Sequence, residues 1–330
     1  MDKRHKIVIT DFIADSLAIE RAIAGKDAEV ISLAASGEED LEGKIEDADA
    51  IIMYHTIPLT SKTIGRLKQC RLIVRAGVGV DNVDHAYART CGVPVANIPD
   101  YGCEEVADTA IGMMLALTRG IVLLNSRLRG RQGPWSYTQA QPLARLRNGV
   151  IGIVGLGRIG TAAALRAKAM GMKVVFYDPF KPDGFDKALG IQKADSLKSL
   201  LQQIKVLSLH CPLTRETHHL INERTLEYLP SGAYLINTAR GGVVDTSAIP
   251  DAIESGRLSG AAFDVLEQEP PFNDLLVQAW KDPAHPAHHK VIINPHAAFY
   301  SEEGLQEIRV RSAQACMQAL QGGEVRNIVN

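Results

Sequence analysis

The sequence lacks a strong net charge and any long hydrophobic run. Its 330 residues include 36 Lys and Arg against 38 Asp and Glu, so the charge excess of a dedicated nucleic-acid or anionic-membrane binder is missing. The apolar run near the N-terminus, Ile7 to Ile9, is too short for a signal peptide, and no stretch approaches membrane-spanning length. We therefore expect a cytoplasmic protein that binds a small molecule, with no direct nucleic-acid or membrane binding.

Cysteines are few and scattered. The five residues form no CxxC or other metal-ligand spacing and are Cys70, Cys91, Cys103, Cys211 and Cys316. They predict reduced core thiols. The segment from Asp282 to Lys290 contains three histidines, but its prolines indicate a loop in which no helical spacing aligns the imidazoles. We therefore favour a loop over a metal site and predict no metal.

Aromatic residues make up only 5% of the chain, while 46% of residues are hydrophobic and 22% are charged. These values are ordinary for a folded protein and give no sign of disorder. A chain of 330 residues exceeds the usual size of one hydrophobic core. We therefore expect two domains with a cleft between them.

Short β-branched runs alternate with helical patterns from Lys6 onward, which predicts a parallel sheet with crossover helices. The pattern breaks near residues 98–102 and continues as one long apolar helix from Glu104 to Arg127. A second series, beginning at Asn148, contains six candidate strands, the number in a complete doubly wound dinucleotide fold. An amphipathic helix follows, at about Glu302 to Leu320.

The fold class is therefore α/β, with two Rossmann-like domains. The segment after residue 298 is too short to be a domain and is expected to return to the first one. We predict a doubly wound, parallel-sheet NAD-binding domain of residues 99–298. It would be inserted in a flavodoxin-like substrate-binding domain of residues 1–98 plus 299–330.

A GxGxxG pattern lies between a predicted strand and a predicted helix and consists of Gly155, Leu156, Gly157, Arg158, Ile159 and Gly160. Gly155 permits the tight turn, Gly157 the close approach of the backbone to a pyrophosphate, and Gly160 the packing of the helix on the sheet. We predict that this loop binds a dinucleotide; the alternative is a glycine-rich turn that binds nothing.

The next predicted strand ends in Asp178, at about the distance where the ribose-binding acid belongs. Its carboxylate can accept hydrogen bonds from both ribose hydroxyls and would repel a 2′-phosphate. No Arg follows it to reverse that preference, although Lys181 is nearby. The predicted cofactor is therefore NAD.

Three further side chains follow predicted strands of the second domain: Arg240, Glu269 and His296. The carboxyl ends of such strands are where open α/β sheets bind ligands. A carboxylate partner holds a histidine in one tautomer and stabilises its imidazolium form, and an arginine can bind a carboxylate through two hydrogen bonds. Singly, each residue has an ordinary reading: a surface charge, a helix-cap acid, a core histidine. Together they predict hydride transfer at a 2-hydroxy or 2-oxo acid, with His296 and Glu269 as the acid/base pair.

The motifs VGLGRIG, HCPLTRETHHLIN, INTARGGVVD, AAFDVLEQEP and NPHAA occur in this order. In these motifs the chain resembles the D-isomer-specific 2-hydroxyacid dehydrogenases, over nearly its whole length. The segments at Tyr54 to Thr60, Arg71 to Asp84 and PHAAFYSEE are similar to the C-terminal-binding-protein (CtBP-like) subgroup.

The resemblance implies roles for residues throughout the chain. His296 would be the acid/base, Glu269 its partner and Arg240 the cation that orients the substrate. Further cofactor contacts would come from His210, Cys211, Thr238 and Asp264, the last through the nicotinamide carboxamide. Substrate contacts would come from Arg75, Val78, Gly79, Tyr54 and Phe299. For Arg75 a salt bridge at a strand end is equally open, and Tyr54 and Phe299 can instead be core residues.

Phe299 departs from the subgroup, whose members carry a tryptophan there, so we expect a different or bulkier substrate side chain. In the family the long helix after the hinge pairs two subunits. We therefore predict a homodimer through residues 104–127, the alternative being a core helix of a monomer. An NAD(H)-sensing dimeric scaffold or corepressor with weak dehydrogenase activity is the alternative function. We expect the enzyme, because the sequence shows neither a disordered tail nor a charged interaction segment.

Overall fold

The computed structural model describes residues 4–330 and divides the chain into two compact units. Unit 1 consists of Met1–Gly102 and Ser301–Asn330, and unit 2 of Cys103–Tyr300. Each unit is built on its own parallel sheet. The structure is therefore α/β, with two Rossmann-like units, as the alternating pattern predicts.

Unit 1 contains a five-stranded parallel sheet in the order β2-β1-β3-β4-β5. Its strands are β1 (His5–Ile9), β2 (Ala28–Ser32), β3 (Ala50–Met53), β4 (Leu72–Arg75) and β5 (Val95–Asn97). This is the flavodoxin-like strand order. Every residue of β3 and β4 is buried, as expected for central parallel strands covered on both faces.

Unit 2 contains a seven-stranded parallel sheet in the order β12-β11-β10-β9-β6-β7-β8. Its strands are β6 (Val150–Val154), β7 (Lys173–Tyr177), β8 (Gln192–Lys193), β9 (Val206–Leu209), β10 (Ala233–Asn237), β11 (Leu258–Phe263) and β12 (Val291–Ile293). The strand order reverses between β6 and β9. Open α/β sheets bind ligands beyond the carboxyl ends of the strands at such a switch point.

Helices cover both sheets, and hydrophobic clusters lie between helix and strand. Within residues 4–330 the α-helices are α1 (Ala18–Ala24), α2 (Ser61–Ile64), α3 (His85–Thr90), α4 (Cys103–Thr118), α5 (Ile121–Arg129), α6 (Arg158–Ala169), α7 (Phe185–Leu189), α8 (Leu197–Leu201), α9 (Glu223–Leu226), α10 (Ile249–Glu254), α11 (Leu275–Lys281), α12 (Ala287–Lys290) and α13 (Glu302–Leu320). The range of α13 agrees with its predicted amphipathic pattern. Its apolar face packs in the core of unit 1 through residues such as Ile308 and Met317.

The prediction of one helix from Glu104 to Arg127 is wrong. Gly120 has a left-handed φ of +65°, which interrupts the helix after α4. The chain then continues as α5, whose axis is bent by 63° from that of α4. α4 buries one face in the core of unit 2, whereas α5 has no buried residue. Between residues 4 and 330 no single helix has the length and hydropathy to cross a membrane, and only the bent pair α4 and α5 together meets that test.

Strand β8 is absent from the sequence prediction. It has two residues, Gln192 and Lys193, and pairs only with β7 at the edge of the sheet. Because neither residue is apolar and the strand is so short, no hydrophobic alternation marks it.

α13 is attached to unit 1 by an ion-pair cluster as well as by apolar packing. The Arg309 guanidinium donates to Glu20 Oε1 at 2.6 Å and to Asp15 Oδ2 at 2.6 Å. The side chains of Arg309 and Glu20 are only 8% and 1% exposed. Hydrogen bonding to Arg309 holds the pKa of Asp15 below its usual value. The cluster therefore places paired charges, not an isolated one, beneath α13.

We expect Arg309→Ala to lower the free energy of unfolding by about 3–5 kcal/mol, because it leaves the Glu20 carboxylate buried without its cation. Urea denaturation followed by circular dichroism measures the change. Arg311→Ala is the matched control: this residue of α13 pairs with Glu307 at the surface, and its loss should cost under about 0.5 kcal/mol. Equal effects of the two substitutions would contradict the structural role of the cluster.

Candidate active site

The loop after β6 turns into α6 through three glycines. Gly155 has a φ of +84°, and a Cβ there would lie 2.7 Å from the backbone nitrogen of Cys211. A Cβ at Gly160 would lie 2.1 Å from the carbonyl oxygen of Gly155. Both positions therefore need glycine for packing within the protein. A Cβ at Gly157 would meet no described atom within 4 Å, so this glycine faces open space.

The N-terminus of α6 presents backbone donors to that space. Gly157 is the N-cap and provides no side-chain cap. The first-turn N–H groups, including those of Arg158 and Ile159, therefore have no partner within the helix, and the helix dipole makes this end electropositive. The donors and the open glycine fit a pyrophosphate group.

Asp178 lies directly after β7 and is 8% exposed. Its Oδ2 accepts the N–H of Leu156 at 2.8 Å, and its Oδ1 accepts the N–H of Phe180 at 2.9 Å. The carboxylate is thereby fixed against the glycine loop. Each oxygen keeps a second lone-pair direction, so the group can still accept from a ribose hydroxyl.

His210 and Cys211 follow β9, on the other side of the switch point, and Thr238 follows β10. The Nδ1 atom of His210 and the Oγ1 atom of Thr238 are buried with no hydrogen-bond partner among the described residues. Burial lowers the pKa of His210 to about 4 and raises the pKa of Cys211 to about 11. Both side chains are therefore neutral near pH 7. Buried polar atoms normally have partners, so the two orphan atoms fit a polar ligand at this edge.

The loop after β10 carries Arg240. Its backbone is held by Asn237, whose Oδ1 accepts the N–H of Ala239 at 3.0 Å and whose Nδ2 donates to the Arg240 carbonyl at 2.9 Å. A Cβ at Gly241 would lie 1.9 Å from the carbonyl carbon of Leu266. The Arg240 loop thus packs directly on the loop that follows β11.

Glu269 and His296 form a direct pair. Oε2 of Glu269 is 2.7 Å from Nδ1 of His296, and Oε1 of Glu269 accepts the N–H of Leu266 at 2.9 Å. The two side chains are 35% and 22% exposed. The Glu269 carboxylate therefore bonds both to its own loop, at Leu266, and to the imidazole of His296.

Asp264, directly after β11, holds the loop of His296. Its Oδ1 accepts the N–H groups of Ala297 and Ala298 at 2.9 and 3.0 Å, and its carbonyl accepts the N–H of His296 at 2.7 Å. His296 has a left-handed φ of +52°, a conformation that costs a non-glycine residue about 1–3 kcal/mol. Burial raises the pKa of Asp264, although these hydrogen bonds oppose the rise. Asp264 therefore has a structural task besides the cofactor contact implied by resemblance.

In unit 1, Arg75 ends β4 with only 5% of its surface exposed. Its Nε donates to Asn82 Oδ1 at 3.2 Å and its Nη1 to the Ala76 carbonyl at 3.1 Å. The following loop includes Val78 and Gly79. Val78 is 37% exposed, and its carbonyl accepts from Asn97 Nδ2 at 2.7 Å. This loop is therefore anchored at both ends.

Tyr54 lies in unit 1, and its hydroxyl oxygen is buried with no hydrogen-bond partner among the described residues. It is 2% exposed and belongs to the hydrophobic core of unit 1. Tyr54 directly follows β3 and lies two residues after Ile52, so both side chains point to the same face of the sheet. That face packs towards α13. Its side chain is core, which was the alternative reading. Phe299 lies in unit 2, with its ring centroid 6.4 Å from that of the His296 imidazole.

Residues 111–298, more than half of the chain, match the family model described as "D-isomer specific 2-hydroxyacid dehydrogenase, NAD binding domain". The chain belongs to the D-isomer specific 2-hydroxyacid dehydrogenase family. The matched residues, which contain the GxGxxG loop, are its NAD-binding domain, and NAD is the cofactor.

Relatives of this dehydrogenase-family chain extend the match to nearly all its residues. It is 32% identical to D-3-phosphoglycerate dehydrogenase of Methanocaldococcus jannaschii over 98% of this chain, and 32% identical to that of Bacillus subtilis over 92%. The chain spans only 59% and 55% of those two proteins. D-lactate dehydrogenase of Aquifex aeolicus, solved with NAD and lactic acid, is 29% identical, with a TM-score of 0.86 and 96% of both chains covered.

The three histidines of the 282–290 segment bind separate protein partners. His285 pairs with Glu254, His288 contacts the Trp280 carbonyl, and His289 contacts Ser126 and Gln132. A different group, His219, Asp245 and Glu267, places three possible ligand atoms within 4.8 Å of one another. His219 and Glu267 already form an ion pair at 2.6 Å, at 34% and 38% exposure.

The glycine loop yields a paired prediction. Gly157→Ala should leave the melting temperature nearly unchanged, because its methyl group would meet no described protein atom within 4 Å. It should weaken NADH binding about tenfold, because the methyl group would occupy the space that fits the pyrophosphate. Gly160→Ala should lower the melting temperature, because its methyl group collides with Gly155. Thermal unfolding without cofactor and NADH fluorescence titration measure the two effects. The reverse pattern would show that Gly157, not Gly160, is needed for packing.

Proposed function

We propose that the protein is an NAD(H)-dependent oxidoreductase that interconverts a small 2-oxo acid and its D-2-hydroxy acid. The observation that carries this proposal is the contact of 2.7 Å between Glu269 and His296, in the same unit as the nucleotide-binding loop. Oxidation of a carbinol requires a base that accepts the hydroxyl proton and a carrier that accepts the hydride. A histidine with a carboxylate partner can be that base.

His296 is the proposed general acid and base. Because Nδ1 faces Glu269, the proton exchanged with the substrate oxygen is carried on Nε2. Glu269 fixes this tautomer and stabilises the imidazolium formed when the alcohol is oxidised. The bound nicotinamide supplies the hydride in reduction and accepts it in oxidation.

Arg240 is the proposed substrate-orienting cation. A guanidinium can hold a carboxylate through two parallel hydrogen bonds. In unit 1, Arg75 and the backbone N–H groups of Val78 and Gly79 are the proposed further substrate contacts, and Phe299 is proposed to contact the substrate side chain. Unit 1 would then be the substrate-binding domain, with boundaries near residues 98 and 299.

In the NAD-binding domain, the proposed pyrophosphate contacts are the N–H groups at Gly157, Arg158 and Ile159, with Gly155 and Gly160 shaping the turn. Asp178 is the proposed ribose ligand and the basis of a preference for NAD over NADP. The remaining proposed cofactor contacts are His210, Cys211, Thr238 and Asp264. The two orphan atoms support the assignments of His210 and Thr238.

We expect His296→Gln to lower turnover about 10²- to 10⁴-fold while NADH affinity stays nearly unchanged, because the variant cannot transfer the proton. NADH oxidation against glyoxylate, pyruvate, hydroxypyruvate, 2-oxobutyrate and phenylpyruvate measures turnover. His285→Gln is the matched control, since this histidine also pairs with a glutamate, at 3.0 Å, and should keep full activity. Equal losses of NADH binding and turnover in His296→Gln would contradict the acid/base role.

The same substrate panel addresses the alternative function, an NAD(H)-sensing scaffold of the CtBP-like subgroup. The subgroup remains a proposal that rests on the quoted segments around Arg75 and Phe299. Tight NADH binding with no turnover of any 2-oxo acid by the wild-type protein would reject the dehydrogenase and favour the scaffold.

We also propose a homodimer, formed by α5 and the segment after it instead of by α4, one face of which packs in the core of unit 2. This surface exposes Ile121, Leu128, Trp135 and Tyr137, and Trp135 is 90% exposed. Leu128, Trp135 and Tyr137 themselves line a groove of about 410 Å³, together with residues such as Leu124 and Pro134. Contiguous exposed aromatic and aliphatic side chains are typical of a surface that another protein chain covers.

Trp135→Glu should convert the dimer to a monomer, because it places a charge in the apolar contact. Light scattering coupled to size exclusion measures the mass. Phe180→Glu, at a side chain that is 92% exposed outside this surface, is the control and should remain dimeric. A wild-type mass of one chain would refute the homodimer.

A further inference from the structure

Asn237 is a polar side chain at the centre of unit 2 that the proposed chemistry does not use. It is the last residue of β10 and has no exposed surface. Burying an amide is unfavourable unless its donor and its acceptor are both hydrogen-bonded. Both are bonded here, and both bonds go to the short segment that carries Arg240.

The Asn237 side chain accepts one of the two hydrogen bonds and donates the other. Oδ1 of Asn237 accepts the N–H of Ala239 at 3.0 Å, and Nδ2 donates to the carbonyl of Arg240 at 2.9 Å. Only an amide side chain offers an acceptor and a donor from one planar group of this size. A serine or an aspartate can replace at most part of this arrangement.

The same residue also ties the Arg240 loop to the neighbouring loop. The main-chain carbonyl of Asn237 accepts the N–H of Asp264 at 3.0 Å, and Asp264 holds the turn of His296. The Arg240 side chain is directed further by its own Nη1, which donates to the Ala239 carbonyl at 2.7 Å. The position of Ala239, and with it that of the guanidinium, therefore depends on Asn237.

We propose that Asn237 is the positioning residue of Arg240: its amide sets the loop backbone so that the guanidinium points at the substrate carboxylate. This inference deepens the proposed function and rests on it. It predicts that Asn237 matters for catalysis only through Arg240, whereas a residue that merely stabilised the sheet would act independently of Arg240.

A double-mutant cycle tests this dependence. We expect Asn237→Ser to lower kcat/KM for the best 2-oxo acid of the panel about 10- to 100-fold, because a misplaced binding group costs that much. It should weaken oxamate binding to the NADH complex in parallel and change the Kd of NADH less than about threefold. In an Arg240→Ala background, Asn237→Ser should lower kcat/KM less than about threefold further.

Asn222→Ser is the matched control. Asn222 also bonds on both sides, donating to the His219 carbonyl at 2.7 Å and accepting from the Thr225 N–H at 3.2 Å, but its loop does not carry Arg240. It should lower the melting temperature without changing oxamate affinity. If Asn237→Ser does not fold, Asn237→Asp, which keeps the shape and the acceptor but loses the donor, replaces it in the cycle.

The outcomes separate the inference from the proposed function. Equal effects of the Asn237 substitution with and without Arg240 would overturn the inference alone. Loss of NADH affinity equal to the loss of oxamate affinity would also overturn it, since it would show a general disturbance of the sheet. No effect of Arg240→Ala on kcat/KM or oxamate binding would overturn the role of Arg240 and, with it, the inference.

Discussion

The hydrogen bond between Glu269 and His296 depends on the parallel pairing of β11 and β12. Phe263 and Ile293 are register partners at the ends of these strands, so the loops that follow begin at the same edge of the sheet. Asp264 then binds the second loop through two backbone N–H groups. Without that pairing, nothing would bring together a carboxylate and an imidazole that lie 27 residues apart in the chain.

The site is preorganised by side chains that satisfy loop backbone. Loops that leave buried strands carry N–H and carbonyl groups that need partners. Asp178, Asn237 and Asp264 provide them at or just after the end of a strand, and Glu269 provides one further along the loop that follows β11. Because these bonds are made within the protein, the side chains that face the ligand are held without it. The left-handed conformation of His296 is maintained in the same way, because Asp264 accepts hydrogen bonds from the backbone N–H groups of His296 and Ala297.

Much of the architecture could be predicted from local pattern. Strands buried on both faces appear as continuous β-branched runs, so β3, β4, β9 and β10 were found. The short polar edge strand β8 lacks that mark and was missed. The helix predicted from Glu104 to Arg127 was wrong because apolar composition continues past Gly120, whereas a glycine in the left-handed conformation divides the helix. None of the apolar residues of α5 is fully buried, and composition does not reveal which side of a helix faces the core.

The sequence by itself determined the fold class, the glycine-rich loop between a strand and a helix, the family, and three candidate residues in loops after strands. These follow from local spacing and from residue types that the chemistry requires. Only the tertiary structure decided that Tyr54 is core, that Glu269 braces its own loop as well as His296, and that Asn237 and Asp264 hold the backbone of Arg240 and His296. The bonds of Asn237 stay within its own loop. The bonds between Glu269 and His296 and between Ala297 and Asp264 join residues 27 and 33 positions apart. They depend on strand order and register, which no local pattern contains.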